Sequence, residues 1–125
     1  MPRHWSEQCA KEYLESQGHR ILAQNYCIRG AELDLITECS ASVLEHPIAA
    51  QQGVLVFVEV KQRRRLDYGH PAEMITAAKI ARLRQAAWHY VLEHYGRDDL
   101  AMRFDAVLLI GSRHDYRLEH LQNIC

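Results

Sequence analysis

Val54-Leu55-Val56-Phe57-Val58-Glu59-Val60-Lys61 is the stretch on which the fold turns. Alternating β-branched and large apolar residues read as a strand, because successive side chains leave a pleated strand on opposite faces. The four valines point one way, and Leu55, Phe57, Glu59 and Lys61 point the other. Upstream, residues 32–37 (ELDLIT) form a second strand, with Glu32, Asp34 and Ile36 on one face and Leu33, Leu35 and Thr37 on the other. Residues 20–28 (RILAQNYCI) read as a strand entering a turn at Arg29-Gly30. The 17 residues from 37 to 53 are long for a hairpin connection, and a mobile loop is expected there.

Two helices frame these strands. Cys9, Ala10, Tyr13 and Leu14 recur at helical spacing, with Ser6 placed to cap and Gly18 to stop the run. Downstream, Pro71 opens a helical turn. Thr76 then caps a longer helix reaching about residue 95, with an apolar stripe of Ile80, Leu83, Ala87, Trp88, Val91, Leu92 and Tyr95, and Gly96 ends it. Residues 102–110 (MRFDAVLLI) form a last core strand, nearly all apolar past Asp105, as where both faces are covered. Arg103 and Asp105 share one of its faces and read as partners in an ion pair. The tail, 117–125, reads as an edge strand or a short helix. The order α-β-β-β-α-β predicts an α/β fold, a mixed central sheet flanked by helices.

A chain of 125 residues has room for one core, so a single domain over 1–125 is expected. An apolar fraction of 48% with 25% charged residues excludes a disordered or fibrous chain. The longest apolar runs, 54–58 and 106–110, are five residues each, far short of the ~20 that a membrane helix needs. No secretory apolar region opens the sequence, so a cytoplasmic protein without a membrane partner is expected. Four cysteines without a C-x-x-C pair argue against both zinc and a disulfide framework, and the eight histidines are scattered.

Net charge is −1, which argues against a protein that coats nucleic acid. Locally the balance differs. Between 59 and 84, Lys61, Arg63, Arg64, Arg65, Lys79, Arg82 and Arg84 face only Glu59, Asp67 and Glu73. The cations are mostly arginine, whose planar fork suits phosphate. Arg63, Arg64, Arg65, Lys79 and Arg82 are therefore candidate nucleic-acid contacts, with a solvated charged face as the plain alternative.

The chemistry concentrates on two strands. An unpaired buried carboxylate costs several kcal/mol, so inward positions are not given to charge without a reason. Asp34 interrupts one strand, and Glu59 with Lys61 interrupts the next. Residues two apart on a strand share a face ~7 Å apart, so Glu59 and Lys61 point into one space, which Asp34 joins if the strands are neighbours. Two carboxylates about 4 Å apart repel by about 4 kcal/mol at an effective dielectric of about 20, and such a pair calls for a cation. Hard oxygen donors point to magnesium or manganese, with Asp34 and Glu59 as ligands. Lys61 would orient an attacking water or offset charge in the transition state. The bland alternative is an Asp34–Lys61 or Glu59–Lys61 ion pair at a strand end.

A carboxylate on one strand followed by E-x-K on the next resembles the PD-(D/E)xK nucleases with their restriction-endonuclease-like core. More narrowly, the chain resembles the YraN family of small bacterial proteins, often grouped with Holliday-junction-resolvase-like nucleases. The matching stretches are Glu7-x-x-Ala10-x-x-Tyr13-Leu14, Ile21-Leu22 with Asn25, Glu32-Leu33-Asp34-Leu35-Ile36, Val56-Phe57-Val58-Glu59-Val60-Lys61 with Arg63, Tyr68-Gly69-x-Pro71, Lys79 with Arg82-Leu83, and Arg103-Phe104-Asp105. The resemblance implies catalytic Asp34, Glu59 and Lys61, an auxiliary acid at Glu7, and DNA, branched or damaged, as partner. It would also imply a homodimer, although no interface stripe is readable. Ala31 and Ser6 stand where the family usually has glycine, and the 37–53 connection exceeds the family norm. Two rivals from other classes are a non-catalytic nucleic-acid-binding module that kept the fold, and an adaptor that uses the 37–53 loop or the tail to bind another protein.

Overall fold

The structure, a computed structural model, describes residues 4–40, 53–64, 75–97 and 99–124. Its elements are α1 (Trp5–Ser16), β1 (Arg20–Ile28), β2 (Ala31–Cys39), β3 (Val54–Arg63), α2 (Ala77–His94), β4 (Met102–Ser112) and β5 (Asp115–Leu121). The first six follow the expected order, and the tail is the edge strand β5. The five strands form one sheet in the order β1-β2-β3-β4-β5. Only β3 and β4 are parallel, and the pairs β1–β2, β2–β3 and β4–β5 are antiparallel. A parallel pair needs a crossover, and α2 supplies it.

The alternation in β3 sets the layers. Val54, Val56 and Val58 are fully buried in a cluster with Ala10 and Leu14 of α1, Leu35, Val107 and Leu109. Leu55 and Phe57 lie in a second cluster with Leu83, Ala86, Ala87, Tyr90 and Val91 of α2, Ile36 and Phe104. The strand therefore has helical cover on both sides. Each large apolar side chain removed from water contributes about 1.5–3 kcal/mol, which makes this double layer the main source of stability.

Several local expectations are corrected. Ser6 is buried, and the cap of α1 is His4, whose extended backbone lets Nδ1 accept the Ser6 N–H at 3.2 Å. Strand β2 runs past Thr37 to Cys39, which pairs with Val54. Strict alternation in β2 fails before Asp34: Leu33 packs with Ile36 on the α2 side, while Leu35 packs on the α1 side. On α2, Thr76 caps as expected, its Oγ1 accepting the Lys79 N–H at 3.2 Å, and Gly96 follows the helix at φ +65°. The buried stripe is nevertheless Leu83, Ala86, Ala87, Tyr90 and Val91. Trp88, Leu92 and Tyr95 are 41%, 58% and 42% exposed. Tyr90 takes the inner position by meeting Tyr26 and Phe57 edge-to-face, and this rotates Trp88 and Leu92 outward. The 41–52 part of the expected mobile loop, the turn at Pro71 and the Tyr68-Gly69 stretch lie outside the described residues.

The α1 side carries a buried polar knot. Arg103 grips Asp105 with two hydrogen bonds of 2.8 and 2.7 Å, the pairing expected from their shared face. Asp105 also accepts from His120 Nε2 at 2.8 Å and from the Asn123 N–H at 3.0 Å, and His120 Nδ1 meets the Tyr13 hydroxyl at 3.0 Å. Burial opposes the Asp105 charge, but these bonds outweigh it and hold its pKa below the ordinary value.

Candidate active site

The β2–β3 ladder ends at the pair Leu35–Val58. Asp34 is the next residue of β2. Its Oδ2 accepts the backbone N–H of Val60 at 2.7 Å, so a side chain takes the place of a ladder bond as the strands part. The gap between them opens into a cleft of about 580 Å³ lined by Asp34, Glu32, Glu59, Lys61, Lys79 and Arg82, with the Gly30 turn at its margin. Gly30 has φ +85°, a conformation that glycine adopts without strain, and it lets β1 turn sharply into β2 beside the cleft.

Glu59 continues the α2-facing row of Leu55 and Phe57 and is 4% exposed. Its Oε1 receives Lys79 Nζ at 2.8 Å and Lys61 Nζ at 3.5 Å. Lys79 reaches it from the first turn of α2, a tertiary contact for which β-strand spacing carries no signal. Burial pushes the Asp34 pKa up, and repulsion from Glu59 adds to this. The Val60 bond pulls it down, Glu7 and Glu32 push it up further, and the result is about 7. Lys61 is pushed down by burial and by its contact with Lys79, against the attraction of Glu59. Burial also opposes the Lys79 charge, but its bonds to Glu59 and Lys61 and the nearby carboxylates outweigh that and raise its pKa. An acid raised and a base lowered within one cleft is a pattern that concentrates at functional sites.

Of the residues singled out in the sequence, Asp34, Glu59, Lys61, Lys79 and Arg82 share this cleft. Glu7 lies in the first turn of α1, half-buried, and its charge reaches Asp34, but it is not among the lining residues. Arg63 donates to the Gln62 carbonyl at 2.8 Å, and Arg64 lines a separate depression with Gly111, Ser112 and Asp115. Arg65 lies outside the described residues. The sequence reading missed the Val60 N–H and the wall formed by Ile28, Ala31 and Leu83.

Among the described residues, no group of three or more His, Cys, Asp or Glu side chains is disposed to hold a metal ion. The donor set still suits magnesium or manganese, because such ions are commonly held by one or two carboxylates with water and substrate phosphate completing the shell. A half-buried Asp34 carboxyl beside a buried Glu59, with Glu7 and Glu32 adding negative potential, is a setting that a cation would relieve. Among the described residues, no helix is long and apolar enough to cross a membrane.

Comparison with known proteins places the chain. The model of the family described as "Uncharacterised protein family UPF0102" matches residues 6–109. A UPF0102 protein of Thermus thermophilus is 41% identical over 117 residues, covering 94% of this chain and 90% of the relative. One from Pelotomaculum thermopropionicum is 40% identical over 119 residues, covering 94% and 88%. One from Symbiobacterium thermophilum is 45% identical over 101 residues, covering 81% and 75%. With an α/β fold of the expected order and a family match across most of its length, the chain belongs to the UPF0102 family, the YraN family that the sequence resembles.

Proposed function

We propose that this protein is a metal-dependent, nuclease-like hydrolase of DNA phosphodiesters, of the PD-(D/E)xK type, acting on branched or damaged duplex. The supporting observation is that Asp34, Glu59 and Lys61, from two strands that part at this point, line one cleft. Asp34 and Glu59 would hold magnesium or manganese. Such a cation, when bound, polarises a phosphodiester oxygen and makes water a stronger nucleophile at neutral pH. The chain's own residues do the rest. Lys61 projects beside Glu59 and would orient the attacking water and offset charge building on the phosphate. Arg82 and Lys79 present cations on the α2 wall for the DNA backbone, and Arg63, Arg64 and Arg65 are further candidate phosphate contacts by charge alone. Glu7 adds negative potential behind Asp34.

Thermal unfolding with added Mg2+ or Mn2+ tests the reading. Free cation at about a hundred times its Kd should stabilise the fold by about 2.7 kcal/mol, and Glu59→Ala should abolish the gain. No shift in the wild type, or the same shift in the variant, would remove the metal from the account. A second reading, a non-catalytic nucleic-acid-binding module, is favoured by the lysine contacts that already engage Glu59. Salt-dependent DNA binding undiminished by EDTA, without cleavage, would select it.

A further inference from the structure

We propose that Lys79 is an internal competitor for the cation: it holds Glu59 Oε1 until a divalent ion takes that carboxylate, and then swings to substrate phosphate. This rests on the metal-dependent reading above and adds to it a coupling between cation loading and DNA grip. Both lysines reach the same oxygen, Lys79 at 2.8 Å and Lys61 at 3.5 Å. A divalent ion on that carboxylate repels an ammonium at the same oxygen with twice the force between two unit charges. An ion that takes Oε1 itself displaces one of these two contacts.

Geometry selects Lys79. Its ammonium is the closer and so is the more strongly opposed. Its side chain is 27% exposed against 20% for Lys61, and both line the cleft. Its backbone cannot follow, because the Lys79 N–H is fixed to the Thr76 cap. Only the flexible stem moves. Arg82 lies three residues on, a neighbour on the helix surface, and lines the same cleft. A released Lys79 would thus join Arg82 in a two-cation wall for phosphate, formed only when the cation is loaded.

Calorimetric titration of the full chain with MnCl2 tests this. Removing a competing charge-assisted hydrogen bond, discounted for partial exposure, should make Lys79→Met bind Mn2+ about tenfold more tightly than wild type. Lys79→Arg, which keeps the charge, should not gain. Equal or weaker binding by Lys79→Met, with wild-type binding that Glu59→Ala abolishes, overturns the role of Lys79 and leaves the metal site standing. Binding by neither wild type nor Lys79→Met overturns both. A readout on the unaltered protein guards against misfolding of the variant. With 15N-labelled lysine, Mg2+ should shift the Lys79 ammonium resonance together with the Val60 amide, which reports on Asp34. A Val60 shift with Lys79 unmoved contradicts the proposal.

Discussion

Asp34, one residue beyond the last β2 position paired with β3, receives on its Oδ2 the N–H of Val60, two residues beyond the last paired position of β3, at 2.7 Å. A side chain here ends a ladder that backbone would otherwise continue. The strands diverge without leaving the Val60 donor unsatisfied, a cost that would otherwise be about 1–3 kcal/mol. The same carboxyl that closes the ladder faces the cleft, so Asp34 is both a structural stop and a candidate ligand. Replacing it separates those roles: Asp34→Asn keeps an oxygen for Val60 and loses the charge.

Asp34 and His19 should tilt the pH dependence of stability in opposite directions. Burial, then Glu59, raises Asp34 from 3.8 to about 7, so the folded state binds its proton more tightly. That contribution is complete below the unfolded pKa and is lost as pH rises towards 7. Burial, then the charge of His120, lowers His19 from 6.5 to about 4. Its contribution is complete above 6.5 and is lost as pH falls towards 4. In EDTA, the stability of Asp34→Asn should climb more steeply with pH than wild type across this window, and that of His19→Gln less steeply. The changes should be at most of order 1 kcal/mol per pH unit. Urea unfolding between about pH 4 and 7 measures them, and three parallel curves would contradict both assignments.

Asp105→Asn should be among the most damaging single changes. It preserves shape but leaves the buried Arg103 guanidinium without its anion, a loss of about 3–5 kcal/mol. Because the bonds from His120, Arg103 and Asn123 hold its pKa down, the wild-type contribution should persist above the ordinary carboxylate pKa and fade only in stronger acid. Chemical denaturation at neutral pH would refute this by showing a loss below about 1 kcal/mol.

Two leucines on one helix should differ sharply. Leu83 is 3% exposed and Leu92 is 58% exposed. Leu83→Ala should cost about 2–5 kcal/mol, and Leu92→Ala should stay within about 0.5 kcal/mol. Similar midpoint shifts for both would mean that α2 is rotated from its assigned face.

That pair also shows where the sequence is legible. Alternation over 54–61 marks β3 and its two covered faces, because a buried strand must place apolar groups on both sides. Helical spacing marks α2 but leaves its rotation open: Trp88 and Tyr90 are both large aromatics near the stripe, and contact with Tyr26 and Phe57 turns Tyr90 inward. Asp34, Glu59 and Lys61 stand out as charges in apolar runs. The Val60 bond and the Lys79–Glu59 contact do not, since each depends on how separate elements meet. His4 was hidden as a cap because Ser6 is the commoner capping residue.

The most direct test of the central claim is cleavage. Purified protein with Mg2+ or Mn2+ should cut at least one of linear, flapped or four-way DNA, and Asp34→Ala, folded by circular dichroism, should not. A wild type inert on all three, or an Asp34→Ala variant that cuts equally well, would contradict it.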